Sequence, residues 1–197
     1  MMLGRDALNR GYGAKIYTYN VDMFDPTWFD ESRSPAEAQS RKQTNERLSS
    51  FIRKQKYAKS HDRKLQVASD AYLEFLALGG EILFRDLTPQ LIRGYLEKGT
   101  PVLTGLSATY LYRTAREMAD TNEFDSISGT PSGHFVVIAG MDREKKSLLV
   151  ADPFDLNPFV EGNYYWIETH RVISSILLGI LTYDANLLVI EPKEKPL

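Results

Sequence analysis

The first run of alternating side chains falls at residues 14–24. Tyr17, Tyr19 and Val21 lie on one face of an extended segment and Ile16, Thr18 and Asn20 on the other. β-Branched and aromatic residues suit a pleated surface, so a strand is expected, broken by Asp25-Pro26. The period then changes. Ser34, followed by Pro35 and by Glu37, matches an N-cap, a first-turn proline and a capping box, which predicts a helix to about Tyr57. Its apolar face is thin: Leu48, Phe51 and Ile52. Ala68, Ala71, Tyr72, Phe75 and Leu76 recur at three- and four-residue spacing, and Gly79-Gly80 supplies the stop of a second helix. A short strand at 81–86 follows. Thr88-Pro89 then starts a helix carrying Leu91, Ile92, Tyr95 and Leu96, which Gly99 ends before a strand at 101–105.

Residues 107–120 carry only a partial stripe, Tyr110, Leu111 and Ala115, and read as a helix or as an irregular segment. Residues 121–133 are polar, with two glycines and a proline, and are long for a loop inside a compact domain. They are either a mobile segment flanking a site or a surface excursion. Two strands at 135–140 and 147–152 enclose the polar turn MDREKKS, and another strand is expected at 164–168. A short helix from Thr169 carries Val172, Ile173, Ile176 and Leu177, and a last strand at 185–191 precedes a loose tail, 192–197. Helices first and strands later predict an α+β fold with helices packed on an antiparallel sheet. At this length one core suffices, so residues 1–197 are expected to form a single domain.

Charge narrows the classes of partner. With 24 Lys and Arg against 26 Asp and Glu, the chain offers no electrostatic attraction to nucleic acid or to an anionic membrane surface. The basic cluster of Arg53, Lys54, Lys56, Lys59, Arg63 and Lys64 lies in helical sequence and reads as a solvated face. The first residues lack a leader pattern and no apolar run approaches ~18 residues, so a cytoplasmic protein without a membrane partner is expected. The chain has no cysteine, which excludes a disulfide framework, a Cys-ligated zinc and any thiol chemistry of its own. No cofactor or metal is expected. GYG and GLSATYLY lack phosphate-loop spacing, His61 and His170 sit among polar residues, and His134, Asp152 and Asp155 fall short of the four ligands of a structural zinc. Trp28, Trp166 and the Tyr164-Tyr165 pair read as core or site-wall residues.

Candidate chemistry centres on His134 and Asp152. In a hairpin, opposed residues have position numbers with a constant sum. For this pair the sum is 286, which centres the turn on Arg143, within MDREKKS. Opposite each other or one step off, the two side chains come within hydrogen-bonding reach. A carboxylate accepting from one imidazole nitrogen fixes the tautomer and raises the basicity of the other nitrogen. The competing reading is a histidine at a strand edge and an aspartate starting the Asp-Pro turn DPF.

The runs GHFVVIAGMD and LLVADPF resemble the His strand and the Asp strand of C39-like peptidases, which have the papain-like cysteine-protease fold. GTPVLTGL, GYGAKIYTYN with FDPTWF, and ANLLVIEPK are similar to further parts of that family, so the resemblance runs along most of the chain. It implies a papain-like fold with His134 as general base and Asp152 as its orienter. It also implies a nucleophilic Cys at the start of an N-terminal helix, with an oxyanion-stabilising polar side chain just before it. This chain has no Cys and opens at MMLGRDALNRGYG, so the catalytic helix is expected to be missing. Ser107, Ser126, Ser128 and Ser132 are not in a nucleophile elbow, and Ser34 is accounted for as an N-cap. The expected protein is therefore a catalytically inactive relative that binds a peptide or amide ligand beside His134 and Asp152. Two alternatives stay open: an amide hydrolase whose Cys helix comes from an upstream segment or a partner, and a structural or assembly module. A missing helix would uncover an apolar sheet face, so a second copy, a partner chain or a repacked N-terminal helix is expected to cover it.

Overall fold

The computed structural model describes residues 2–29, 41–121, 123–182 and 186–193. By its internal contacts the chain divides into two compact units, residues 1–85 with 190–197, and residues 86–189. Among the described residues six helices and seven strands form an α+β fold.

The first unit holds α1 (Met2–Asn9), β1 (Tyr12–Thr18), α2 (Arg41–Ala58), α3 (Arg63–Ala77) and β2 (Glu81–Leu83). α1 was not legible as a helix in the sequence. It forms by burying Gly4, Ala7 and Leu8 and packs against β1 and α3. β1 starts earlier and ends earlier than the alternation predicts, at Thr18 rather than residue 24. The Asn20 carboxamide accepts from the Asp22 and Met23 N–H groups at 3.0 and 3.1 Å, and this side-chain turn leaves Val21 56% exposed. The strand is also buried on both faces, since Ile16, Tyr17 and Thr18 are all inaccessible. β1 pairs with β2 in parallel, Ile16 opposite Ile82, and β2 is only three residues long.

Phe24 anchors the unit's aromatic core, edge-on to Tyr72 with centroids 4.7 Å apart, while Trp28 stacks on Phe51 at 5.3 Å as a core wall. The expected start of the second element at Ser34, with Pro35 and Glu37, lies outside the described residues. From Arg41 on, α2 buries Leu48 and Ile52, and Phe51 is half-buried. In α3 the buried row is Leu65, Ser69, Tyr72, Phe75 and Leu76. Ala68 and Ala71 are half-exposed, so the stripe is rotated from the predicted one toward Leu65 and Ser69. Asp62 caps its start by accepting from Leu65 N–H at 3.0 Å. Gly79 at φ +88° and the Gly80 N–H bond to Phe75 O, 3.0 Å, close its end.

The second unit holds α4 (Pro89–Leu96), β3 (Val102–Ser107), α5 (Ala108–Tyr112), β4 (Gly133–Asp142), β5 (Ser147–Ala151), β6 (Tyr164–Glu168), α6 (Thr169–Leu178) and the first four residues of β7 (Asn186–Pro192). Its strands run in the order β7-β3-β4-β5-β6 and every pair is antiparallel. One face carries Val102, Leu106, Val136, Ile138, Leu148, Val150, Ile167 and Leu187, all buried together with Val172 and Ile176 of α6. Thr88 caps α4 by accepting from Leu91 N–H at 3.2 Å, as the sequence predicts.

The two readings of residues 107–120 each hold in part. Ser107 caps the five-residue α5, which stops where Arg113 turns left-handed at φ 54°. The rest is irregular, with Glu117 bridged to Phe124 and to Thr130. The polar segment that follows is tied down at several points. The Asp125 carboxylate accepts from Ile127 and Ser128 N–H at 2.7 and 3.0 Å, Arg116 donates to Ile127 O at 3.0 Å, and Ser132 N–H donates to Thr109 Oγ1 at 3.0 Å.

Candidate functional site

The hairpin of β4 and β5 brings His134 and Asp152 together by a register different from the predicted one. Its turn is closed by Lys146 at φ +50° and by Lys145 N–H donating to Asp142 Oδ1 at 2.9 Å. Opposed positions sum to 289 beside the turn, where Met141 faces Leu148, and to 288 beyond an irregularity at Ala139, where Ile138 faces Val150. The turn is thus centred after Arg143. Continued by one step, the ladder sets Asp152 across from Val136, with His134 diagonal to it on the same face. A long imidazole spans that diagonal: His134 Nε2 lies 2.7 Å from Asp152 Oδ1.

Asp152 sits just past the end of β5. Its N–H donates to Asn163 O at 2.8 Å and its carbonyl accepts from Asn163 Nδ2 at 2.7 Å, which fixes the backbone there. The side chain is 0% exposed, and its two oxygens accept four hydrogen bonds. His134 Nε2 and Phe154 N–H reach Oδ1 at 2.7 and 2.9 Å; the Tyr112 and Tyr165 hydroxyls both reach Oδ2 at 2.7 Å. Burial pushes the carboxyl pKa up, but the donors from His134, Tyr112, Phe154 and Tyr165 outweigh it and hold the group below the usual carboxylate range. The same arrangement raises both phenols. Burial is the first cause and the hydrogen bond to the Asp152 carboxylate the second, since ionising either tyrosine would set a second anion against the first.

The two sequence readings of the pair are compatible. Phe154 N–H on Oδ1 is the Asp-Pro turn, and the remaining lone pairs still hold the imidazole. With Nε2–H donating to the carboxylate, Nδ1 of a neutral ring carries the free lone pair. That nitrogen makes no hydrogen bond with a described residue, and the His134 side chain is 23% exposed. Rings wall it: Tyr112 and Phe154 each lie 6.1 Å from the imidazole, and Phe159 packs on Tyr112 and Tyr165 at 5.8 and 4.7 Å. Buried Asn157 shapes the segment that brings Phe154 and Phe159 there, donating to Gly162 O at 2.7 Å and accepting from Phe159 N–H at 3.2 Å.

Sequence reasoning missed Tyr112 and Tyr165 as partners of the carboxylate. Alternation could have found Tyr165, because it shares the buried face of β6 with Ile167. Tyr164 and Trp166 point the other way and are 65% and 55% exposed, so neither is a core residue. Tyr112 carries no local signal; its position depends on where α5 stops.

Elsewhere the candidate groups stay apart from the pair. His61 and His170 are exposed, and Asp155 takes a bond from Asn163 Nδ2 at 3.0 Å. No group of three or more His, Cys, Asp and Glu among the described residues could hold a metal ion. Ser132 bonds to Glu117 and Thr109, and Ser126 and Ser128 lie in the Asp125 turn. Of the basic cluster, Lys56 pairs with Asp70 while Arg53, Lys54, Lys59, Arg63 and Lys64 are exposed. No helix among the described residues is long and apolar enough to cross a membrane.

A family model described as the Peptidase_C39 like family matches residues 15–173, a span that includes His134, Asp152, Tyr112 and Tyr165. Among curated proteins and among solved structures no match was found.

Proposed function

Because the chain belongs to the Peptidase_C39 like family, we propose that it is a peptidase relative that binds a peptide or similar amide ligand beside His134 and Asp152 without cleaving it. The observation that supports this reading is an imidazole held at 2.7 Å by a buried carboxylate in a chain with no cysteine. Thiol-type peptide hydrolysis needs a thiolate formed by proton transfer to an imidazole. The His134 imidazole would be the proton acceptor, with a fully satisfied carboxylate behind it, while no described serine hydrogen-bonds to its Nδ1. What remains useful to a ligand is a polar imidazole edge set in an aromatic wall, a surface that can accept one amide N–H and stack against the neighbouring side chain.

The test has two readouts on the purified chain. Quenched fluorescent peptides should show no hydrolysis above buffer. Titration of a mixed-sequence peptide pool should shift the His134 ring signals in NMR, and His134→Ala should weaken binding several-fold. Hydrolysis that disappears in His134→Ala would overturn the reading and favour the alternative in which a nucleophile reaches Nδ1. Absence of any ligand-dependent shift would favour a structural module.

A further inference from the structure

Two arginines flank the aromatic wall of this site, and neither makes an ion pair with a described residue. Arg171, in the first turn of α6, lays its guanidinium over the Phe159 ring, 5.2 Å from the centroid. Phe159 in turn packs on Tyr165 and Tyr112, the phenols that hold Asp152. Arg171 Nε is buried without a hydrogen-bond partner. Arg113 follows Tyr112 directly, is exposed, and has its backbone turned left-handed at φ 54°. α5 and α6 pack together, and the Arg113 charge reaches Arg171.

Like charges carried on the packed ends of α5 and α6, one of them half-buried, cost free energy that a carboxylate or another ligand anion can relieve. Burial first and Arg113 second lower the Arg171 pKa; Tyr110, Glu168 and Tyr165 act in the opposite sense. Glu168 is exposed and makes no ion pair with Arg171. A guanidinium is a planar fork of donors that matches the two oxygens of a carboxylate. A lysine pair would lack this fit.

We propose that Arg113 and Arg171 bind a carboxylate of the peptide ligand whose neighbouring amide lies beside His134, a proposal that rests on the function proposed above. The steps from His134 to Tyr112, Phe159 and Arg171 are 6.1, 5.8 and 5.2 Å. An extended peptide of about five residues, at roughly 3.3–3.6 Å each, covers that path. The carboxylate is either the free C-terminus of such a peptide or an acidic side chain within it.

The probes are acetyl-tetra-alanine with a free C-terminus, its C-terminal amide, and the amide carrying one internal Glu. Affinities are measured by titration, and the His134 ring signals are followed in the same samples. The free acid or the Glu peptide should bind at least ~10-fold more tightly than the neutral amide, as a charge-assisted bidentate contact does. Which of the two does so tells a terminal from a side-chain carboxylate. The preference should fall to near unity in Arg113→Ala and in Arg171→Ala, recover in part in Arg171→Lys, and weaken with salt. Arg113 is exposed, so its variant keeps the test valid if Arg171→Ala fails to fold. Equal affinity for all three peptides, with His134 still perturbed, would overturn the arginine site and leave the proposed function standing. An acid preference lost in the arginine variants without any change at His134 would sink the proposed function and keep the anion site. No binding by any of the three overturns both.

Discussion

Four donors converge on Asp152, and two of them are phenols that local sequence does not connect to it. Removing the acceptor leaves buried hydroxyls and an imidazole N–H unpaired, so Asp152→Ala should destabilise the protein by about 3 kcal/mol. Tyr165→Phe removes one donor and keeps the ring, and should cost about 1 kcal/mol. Urea midpoints of the variants check both, and a larger loss for Tyr165→Phe than for Asp152→Ala would contradict the arrangement. The pH dependence follows from the signs. Asp152 has a lowered pKa in the folded protein, so its contribution is present above the unfolded value of about 4 and is lost as pH falls further. Tyr112 and Tyr165 are raised, so the unfolded chain ionises first and stability falls as pH rises above about 10. Denaturation curves across the alkaline range should show that fall, and it should flatten in the Tyr112→Phe, Tyr165→Phe double variant. At this scale the sequence disclosed the pair but not its support: His134 and Asp152 lie on one hairpin, while Tyr112 comes from 40 positions away.

At the scale of elements, local chemistry was a good guide wherever an element carries its own start and stop. α4 begins at Thr88 and ends before Gly99 as the sequence predicts. The end of α3 is fixed by two glycines with different duties. Gly79 has φ +88° with open space around it, whereas a Cβ on Gly80 would lie 2.4 Å from the Phe75 ring. Gly79→Ala should therefore cost about 1 kcal/mol, and Gly80→Ala more, since Phe75 is fully buried and has nowhere to move. Thermal midpoints of the two variants should rank in that order. Where an element's extent depends on a side chain turning back on the backbone, the periodic pattern overshot: Asn20 stops β1 while the alternation continues through Val21. The same holds for the hairpin. Its turn composition was read correctly, but the turn is centred after Arg143, and the irregularity at Ala139 then brings the sum from 289 back only to 288; no spacing rule signals either.

For the molecule as a whole, the expectation from chain length is that one core suffices, while the contacts divide the chain into residues 1–85 with 190–197 and residues 86–189. Calorimetry tests the single-domain expectation: one transition should be seen, and two resolved transitions would make the boundary at residue 85 a domain boundary. Sequence by itself determined the α+β class, the family and the absence of a thiol, because these rest on periodicity, on ordered motifs and on composition, which belong to the chain whatever its path. It also placed the imidazole and the carboxylate on one hairpin, a contact only 18 positions apart. Only the tertiary structure decided the diagonal register, the two phenols on Asp152 and the unpaired arginines beside them. These depend on where α5 stops and on how β6 and α6 return to the sheet, distances set by packing between segments whose separation along the chain carries no spacing signal.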